Sequence, residues 1–418
     1  MTSPLPSLAR VAIIGGGPAG LMAAEKLATA GAVVTVYDRM PTVGRKFMMA
    51  GRGGLNLTHN EPLDNFIGRY GAAAARLAPV LEAFPPSDLR AWCESLGVET
   101  FVGSSGRVFP KTLKASPVLR AWLRRLDSLG VKFALRHTWR GWKGKGDLAF
   151  TDAEEKNIAV QTEATILALG GASWPRLGSD GGWVEILRAQ GIAVAPLRPA
   201  NCGFIAPWSD LFSARFAGQP LKPVTVSFGS KTLQGEAVIT REGLEGGVIY
   251  ALSPALRDTI EATGSAVLTL DLRPGLSVET LTRRLQTPRG SQSASTYLRK
   301  AAGLSPLALG LMRESLGKAA LPTETEALVA LIKNTKITLT ATAPIARAIS
   351  SAGGVSLDVL DAHFMVKKKR GLFVIGEMLD WEAPTGGYLL QACFSTAVAA
   401  AKGVEDYLRQ STSPPPAA

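Results

Sequence analysis

The sequence has few of the residues that build disulfide frameworks or metal centres. Cysteine and histidine occur three times each. They are Cys93, Cys202, Cys393, His59, His137 and His363. The cysteines are far apart and form no Cys-x-x-Cys pair, which is typical of thiols that stay reduced and buried in the cytoplasm. We therefore expect no metal site.

A long uncharged hydrophobic run is also missing. The apolar stretch that follows Ala9 contains Glu25, Lys26 and many glycines, so it does not qualify as a membrane span. It begins too close to the N-terminus to leave room for a signal peptide. We expect a cytoplasmic protein without a membrane partner.

Acidic residues are fewer than basic ones. Lysine and arginine total 46 against 34 aspartates and glutamates, which gives a formal net charge of +12. The excess indicates either a solvated basic surface or an anionic partner such as RNA or an acidic metabolite. Because no stacking-aromatic pattern or known nucleic-acid motif accompanies the charge, nucleic acid is a possible partner that the sequence does not favour.

The strongest pattern lies near the N-terminus. Residues 11–14 form a short apolar run of the kind that makes a buried parallel strand. The GGGPAG segment at residues 15–20 follows at once and fits G-x-G-x-x-G. A helical pattern over residues 21–30 and a second apolar run over residues 33–37 complete a βαβ unit.

Each part of this motif has a physical role. Gly15 allows the tight turn, Gly17 leaves room for a pyrophosphate, and Gly20 lets the helix pack on the strand. The free N–H groups at the start of the helix attract phosphate charge. Asp38, at the tip of the second strand, can bond ribose hydroxyls. The motif therefore predicts dinucleotide binding, with a glycine-rich structural turn as the alternative.

The segment after Asp38 is rich in glycine and basic residues. Gly44, Gly51 and Gly53 predict backbone that lies close to a ligand or turns sharply. Arg45, Lys46 and Arg52 follow or lie between these glycines. We expect a loop along the pyrophosphate and ring of the dinucleotide, where the cations neutralise phosphate or a substrate anion; the alternative is plain surface charge.

Two further strands end in glycine. Residues 164–169 lead to Gly170, and residues 371–375 lead to Gly376-Glu377. Gly386-Gly387 then opens a long helix of small residues over 389–401. A helix start with glycines at the tip of a strand is typical of an anion or carbonyl site.

The remaining pattern predicts several domains. Between the motifs we expect a helix over 72–96 broken at 85–86, a hairpin over 101–109, a helix over 116–129 with Ser116 as N-cap, and a strand meander over 131–162. Short strands with regular turns begin near residue 194, and helices dominate 274–335. We predict a discontinuous dinucleotide domain (1–193 and 346–410), an inserted β-domain (194–273 and 336–345), a helical subdomain (274–335) and a disordered tail (411–418).

Five segments together resemble the YhiN/BaiN (aminoacetone-oxidase-type) FAD-binding flavoprotein family over nearly the whole chain. They are IIGGGPAGLMAA, VGRKFMMAGRGGLNLT, ILALGGASWPRLGSDG, AGGVSL and LFVIGEMLDWEAPTGGYLLQA. The resemblance implies an α/β fold, with a glutathione-reductase-type FAD domain (Rossmann-like βαβ), an inserted β-barrel-like domain and a small helical domain. It also implies non-covalent FAD.

The resemblance also assigns residues to the cofactor. The glycine motif would face the pyrophosphate, Asp38 the adenosine ribose, and Gly386 with Gly387 the N1/O2 edge of the flavin. The full set of expected FAD-binding residues is Gly15, Gly17, Pro18, Ala19, Gly20, Asp38, Arg39, Gly44, Arg45, Lys46, Gly51, Gly53, Gly170, Gly376, Glu377, Asp380, Gly386 and Gly387.

The chain departs from the family pattern at two places. Most members have Arg-Cys-Asn where this chain has Gly54-Leu55-Asn56, and Leu389 and Ala392 replace an Asn and a Trp near the last helix. This is similar to a subgroup of unassigned function. The catalytic candidates are Arg52, Asn56, Trp174 and Tyr388. Plain packing is the alternative for Trp174 as a stacking wall and for Tyr388 as a proton donor.

Three functions remain open. The first is an FAD-dependent oxidoreductase that transfers a hydride through flavin N5 between NAD(P)H or oxygen and a small organic substrate, as an ene-reductase or amine oxidase. The second is an RNA-acting flavoprotein, and the third is a non-catalytic redox protein. Because no second G-x-G-x-x-G follows a strand, NAD(P)H would bind only transiently. The sequence does not predict the oligomeric state.

Overall fold

The computed structural model describes residues 9–51, 53–144 and 146–412. Arg52, one of the catalytic candidates, lies outside the described residues. The chain divides into two compact units, formed by residues 1–198 with 350–418 and by residues 199–349. The predicted division of the insertion into a β-domain and a helical subdomain stays a prediction.

The N-terminal part of the first unit alternates short strands and helices. Its strands are β1 Arg10–Ile14, β2 Val33–Asp38, β3 Thr58–His59, β4 Thr100–Val102, β5 Arg107–Pro110, β6 Lys132–Leu135, β7 Thr138–Lys143, β8 Asp147–Thr151, β9 Asn157–Val160, β10 Ala164–Leu167 and β11 Val194–Ala200. Its helices are α1 Pro18–Thr29, α2 Arg45–Ala50, α3 Leu63–Gly68, α4 Ala74–Ala83, α5 Pro86–Ser95, α6 Ala115–Ser128 and α7 Trp183–Ala189.

The inserted unit combines strands and helices. Its strands are β12 Phe204–Ile205, β13 Pro220–Phe228, β14 Lys231–Ile239, β15 Gly243–Glu245, β16 Ala266–Asp271, β17 Thr335–Leu339 and β18 Ala341–Thr342. Its helices are α8 Asp210–Phe216, α9 Gly247–Thr263, α10 Val278–Leu285, α11 Ala294–Ala301, α12 Pro306–Leu316 and α13 Thr325–Lys333. The first unit resumes with β19 Ser350–Val355, β20 Leu372–Val374 and α14 Tyr388–Thr412.

A parallel five-stranded sheet in the order β20-β10-β1-β2-β6 forms the centre of the first unit. In register, Ile13 of β1 lies between Ile166 of β10 and Val36 of β2. The carboxyl ends of all five strands lie at one edge, and the chain order reverses between β1 and β10. In open α/β sheets a ligand binds at such a reversal.

Both faces of this sheet are buried. Val11 and Ile13 belong to one hydrophobic cluster with α1, α6 and α14, whereas Ala12 and Ile14 belong to a second cluster on the other face. This explains why β1 reads as a continuous apolar run and not as an alternation.

An antiparallel seven-stranded sheet in the order β17-β16-β13-β14-β15-β12-β18 forms the centre of the inserted unit. Helices α8 to α13 share one hydrophobic core with this sheet, to which Val226, Leu256, Leu281, Leu311 and Ile332 contribute.

Several local predictions need correction. Residues 132–135, predicted in a meander, pair in parallel with β2 as the sheet edge, and only β7, β8 and β9 form an antiparallel meander. Helix α6 begins after Lys114, so Ser116 is not its N-cap. Pro117 then falls within the first turn, where a missing N–H breaks no helical hydrogen bond.

One helix was missed and one extends further than expected. Helix α9 was not predicted, because Pro254 lies inside it. Burial of Val248, Ile249, Leu252 and Leu256 outweighs the cost of that proline. Helix α14 continues through Ser411 and Thr412, which were predicted to be disordered, and residues 413–418 lie outside the described residues.

Candidate functional site

The glycine motif turns tightly between β1 and α1. Gly15 has a φ of +109°, and a Cβ atom on it would lie 2.3 Å from the carbonyl oxygen of Ala168. A Cβ on Gly20 would lie 1.9 Å from the carbonyl oxygen of Gly15. At Gly17 an added Cβ would meet nothing within 4 Å. Gly15 and Gly20 are therefore required by the fold itself, whereas the space beside Gly17 is open.

The start of α1 suits an anion. Pro18 is its first residue, and Ala19 is buried behind it. The helix has no side-chain N-cap and no acidic residue in its first turn. Its first N–H groups therefore stay available, and the positive end of the helix dipole attracts negative charge there.

Asp38 closes the motif at the carboxyl end of β2. Its two carboxylate oxygens accept the N–H of Gly16 at 2.8 Å and that of Met40 at 2.7 Å. Burial raises the pKa of Asp38 above its ordinary value, although these N–H donors and the cations of Arg39 and Arg45 oppose the rise. A carboxylate can accept about four hydrogen bonds, so Asp38 keeps capacity for a ribose hydroxyl.

Arg39 has a partner within the protein. Its guanidinium forms an ion pair with Asp180, which joins the loop after β2 to the loop after β10. Burial alone would raise the pKa of Asp180, but Arg39 and the N–H of Gly182 outweigh it, so this pKa lies below its ordinary value. Arg39 therefore connects two loops at the edge where the ligand is expected.

Lys46 and Glu377 connect three further segments. Lys46, in α2, donates to Oγ of Ser173 at 2.9 Å and to Oε2 of Glu377 at 2.7 Å. Glu377 also accepts the N–H of Ser351 through Oε1 at 3.0 Å. Ser173 and Ser351 were not identified from the sequence, because a lone serine in a loop carries no pattern. Lys46 and Glu377 were both expected to bind the cofactor, and the structure places them in direct contact.

The other predicted glycines are mostly packed closely. Added Cβ atoms would lie within 2.9 Å of a neighbouring atom at Gly44 beside Leu119, Gly51 beside Ala115, Gly170 beside Ser179, Gly376 beside Ala19 and Gly386 beside Tyr388. Gly53 has open space around it. Burial raises the pKa of Asp380, with Arg198 opposing and Glu382 adding to the rise.

Gly387 precedes α14 and packs against β3. It has a φ of +100°, and an added Cβ would lie 2.4 Å from Cα of Thr58. The hydroxyl of Thr58 donates to Oε1 of Gln391 in the first turn of α14 at 2.8 Å. The start of α14 is therefore held directly on β3.

Tyr388 is buried, and its hydroxyl has an acceptor within the protein. It donates to Oε1 of Glu61 at 2.6 Å, while Arg69 binds both carboxylate oxygens of Glu61 at 3.0 and 2.6 Å. Burial raises the pKa of Tyr388 far above its ordinary value, and the hydrogen bond to Glu61 adds to the rise. The role of Tyr388 as proton donor stays a prediction, but its one proton is already used.

Trp174 and Asn56 are both unusual. Trp174 has φ 60° and ψ 61°, a left-handed conformation that a bulky residue rarely adopts. The guanidinium of Arg176 lies 5.4 Å from the centroid of the Trp174 ring. The Oδ1 atom of Asn56 is buried without a hydrogen-bond partner among the described residues. Their catalytic roles stay predictions.

The residues at this edge fit FAD. The open space at Gly17 and the uncapped start of α1 suit a pyrophosphate. Nε of Arg45, beside Asp38, is a buried donor without a partner among the described residues, which suits a phosphate oxygen. The unpaired acceptor of Asn56 suits an N–H group.

Comparison with known proteins identifies the family. Residues 9–403 match the family described as HI0933-like protein Rossmann domain. The chain belongs to this family. The resemblance drawn from the five sequence segments is confirmed, and this family member is an FAD-dependent oxidoreductase.

Two curated relatives match almost end to end. A 3-dehydro-bile acid delta(4,6)-reductase of Clostridium scindens is 26% identical over 417 residues, which cover 95% of this chain and 99% of the relative. A ribosomal RNA dihydrouridine synthase of Haemophilus influenzae is 25% identical over 404 residues, which cover 94% of this chain and 97% of the relative.

A solved structure shows the same fold. The 3-ketosteroid delta1-dehydrogenase of Sterolibacterium denitrificans aligns with a TM-score of 0.53 at 11% identity, over 96% of this chain and 100% of that chain. The predicted α/β fold with a Rossmann-like FAD-binding domain is confirmed. In the described part of the chain, every helix is too short or too polar to cross a bilayer.

Proposed function

We propose that this protein is an FAD-dependent reductase of a carbon–carbon double bond conjugated to a carbonyl group in a small organic molecule. The observation that carries the proposal is the family match with relatives of two kinds. The bile-acid reductase and the dihydrouridine synthase act on different molecules. In both reactions, the bond that becomes saturated is a double bond conjugated to a carbonyl group.

FAD, when bound, supplies hydride transfer at its N5 atom. The chain's own residues bind and orient the cofactor. The start of α1 and Arg45 would hold the diphosphate, and Asp38 would hold the adenosine ribose. The N–H groups at the start of α14 would stabilise negative charge on the ring edge, because fixed donors favour the more negative state. Saturating the double bond also needs a proton at the α-carbon.

NAD(P)H would act as a transient electron donor. The inserted unit is built on a sheet whose strand pairs are all antiparallel, and such a sheet is unlike the parallel sheet of a nicotinamide-binding Rossmann domain. We therefore infer that a nicotinamide nucleotide would bind only transiently, without a Rossmann domain of its own.

Anaerobic titration of the purified protein tests this function. Heat-denatured protein should release FAD, and NADH or NADPH should bleach its absorbance. A 3-keto-4-ene steroid, used as a probe for conjugated double bonds, should then restore the oxidised spectrum without oxygen. If a primary amine bleaches the flavin and only oxygen restores the colour, the protein is an amine oxidase and the proposal is wrong.

Uridine in RNA is a second candidate substrate. It is supported by the net charge of +12 and by the rRNA dihydrouridine synthases among the relatives. A ribosomal RNA transcript mixed with reduced protein should then gain dihydrouridine, measured by nucleoside mass spectrometry. Binding should weaken steeply with salt, because phosphate contacts release counterions. A transcript that neither binds nor reacts contradicts this candidate.

A further inference from the structure

One buried acceptor near the start of α14 has no partner among the residues that the structure describes. The Oδ1 atom of Asn56 is buried and makes no hydrogen bond within the described part of the chain. Native structures pair nearly all such atoms, because a buried unpaired acceptor loses its hydrogen bonds to water without replacement. A ligand that donates an N–H group to this oxygen would supply the hydrogen bond.

The backbone around Asn56 fixes which way it faces. The N–H of Leu55 donates to the carbonyl of Leu113 at 2.7 Å, and that of Leu57 donates to the carbonyl of Val108 at 2.9 Å. Leu55 and Leu57 are both fully buried in the same hydrophobic cluster. Asn56 is only half-buried between these two buried leucines, and this alternation indicates that its side chain faces away from that cluster.

Thr58 shows what lies on the side that Asn56 faces. Thr58 is two residues further along, so it shares the face of Asn56. Its hydroxyl bonds Gln391 in the first turn of α14, and Gly387 packs on its backbone. Asn56 therefore lies on the face directed at the start of α14, where the first N–H groups of the helix have no helical acceptor.

Together these elements present both kinds of hydrogen-bonding group. The start of α14 offers donors, and Asn56 offers one buried acceptor. A cyclic imide has the matching edge, in which an N–H lies between two carbonyl oxygens. The pyrimidine ring of a flavin has this edge, and so does a uracil base.

We propose that Asn56 is the residue that accepts the imide N3–H of FAD, and so fixes the pyrimidine edge of the flavin against the start of α14. The inference rests on the proposed function, because it requires FAD as the cofactor. Asn56 is then a cofactor-binding residue, whereas a uracil base of a substrate is the alternative source of the same imide edge.

The test compares two cofactors on the apoprotein. FAD and its N3-methyl analogue, which lacks the imide proton, are titrated into wild-type protein and into Asn56→Ala, Asn56→Asp and Asn60→Ala, with flavin fluorescence as the readout. Asn60 is exposed and follows β3, four positions after Asn56, so it is a matched asparagine control. Thermal unfolding of each apoprotein checks that the variants fold.

Wild-type protein and Asn60→Ala should bind FAD at least about tenfold more tightly than N3-methyl-FAD, since the methyl group leaves the acceptor unpaired. Asn56→Ala should bind both cofactors about equally. Asn56→Asp keeps an acceptor, so it should still prefer FAD.

Other outcomes overturn the inference. Equal binding of both cofactors by wild-type protein would mean that no group accepts a hydrogen bond from N3–H. An unchanged preference in Asn56→Ala would mean that a group other than Asn56 accepts it. If Asn56→Ala keeps the FAD preference but loses affinity for uridine oligonucleotides relative to N3-methyluridine ones, Asn56 faces the substrate. Failure of every variant, wild type included, to bind either flavin refutes the proposed function itself.

Discussion

The ammonium of Lys46 lies 2.7 Å from Oε2 of Glu377, although 331 residues separate them in the chain. Their side chains are 24% and 15% exposed, so solvent screens the pair only in part. The contact joins α2 to the turn after β20 at the edge of the sheet where FAD is expected. The contact therefore links the two sequence segments, 1–198 and 350–418, that together form the first unit.

Removing one charge of this pair should destabilise the protein. Glu377→Gln should lower the free energy of unfolding of the apoprotein by about 1.5–3 kcal/mol, the usual contribution of a hydrogen bond to a charged group. The double variant Lys46→Met/Glu377→Gln should lose less than the sum of the single variants, since it leaves no unpaired charge. Urea unfolding measures all four proteins, and strictly additive losses would show that the pair is not coupled.

Gly17→Val should abolish FAD binding while leaving the apoprotein folded. An added Cβ at Gly17 meets no protein atom within 4 Å, and the residue has φ −81°, which any residue adopts. The valine would instead fill the space that the pyrophosphate needs. Thermal unfolding checks that the variant is folded, and flavin absorbance checks that it has lost FAD.

Two glycines serve as controls for this substitution. Gly275→Val, at an exposed position with open space, should keep both FAD and fold. Gly20→Val should not fold, because its Cβ would lie 1.9 Å from the carbonyl oxygen of Gly15. Retention of full flavin absorbance by Gly17→Val would mean that the cofactor does not pass this loop.

Glu61→Gln should remove part of the acid sensitivity of the fold. The hydrogen bond from Arg69 is the largest influence on the pKa of Glu61 and lowers it from the ordinary value of 4.5, with burial opposing and Tyr388 assisting. A lowered pKa stabilises the fold fully above the unfolded pKa, and this contribution is lost as the pH falls through the folded pKa.

The stability difference between wild type and Glu61→Gln should therefore be constant at neutral pH and shrink once the pH falls below 4.5. Urea unfolding across that range measures it, with the exposed Glu82→Gln as a control. A difference that grows on acidification would have the wrong sign for this mechanism.

Tyr388→Phe should retain most of the reductase activity. The ring would keep its stacking on His59, with centroids 5.5 Å apart, and lose only the hydroxyl that donates to Glu61. A general acid contributes about 100-fold or more to a rate, so a smaller loss in flavin reoxidation by substrate excludes that role. A fall of that size, with FAD binding intact, would identify Tyr388 as the proton donor.

Local sequence determined the centre of the fold. The run 11–14, the glycine motif and Asp38 follow from steric rules that act over a few residues, and β1, α1 and β2 are found where the sequence placed them. Helices α10 and α12 lie within residues 274–335, where helices were expected, because their serine caps and apolar spacing are local signals.

Tertiary packing decided what local signals could not. The pairing of β6 with β2, the helix α9 around Pro254 and the contact of Gly387 with Thr58 all depend on partners distant in sequence. A sequence pattern indicates whether a segment prefers helix, strand or turn. It does not indicate which distant segment will pack against it.

The same distinction holds for the site. The glycine-rich segment predicted Lys46 beside the cofactor, the family resemblance placed Glu377 there, and Asn56 was a catalytic candidate. Only the tertiary structure pairs Lys46 with Glu377, gives Tyr388 an acceptor in Glu61 and leaves the oxygen of Asn56 without a partner among the described residues. Hydrogen bonds need atoms within about 3 Å, and only the folded chain fixes such distances between segments hundreds of residues apart.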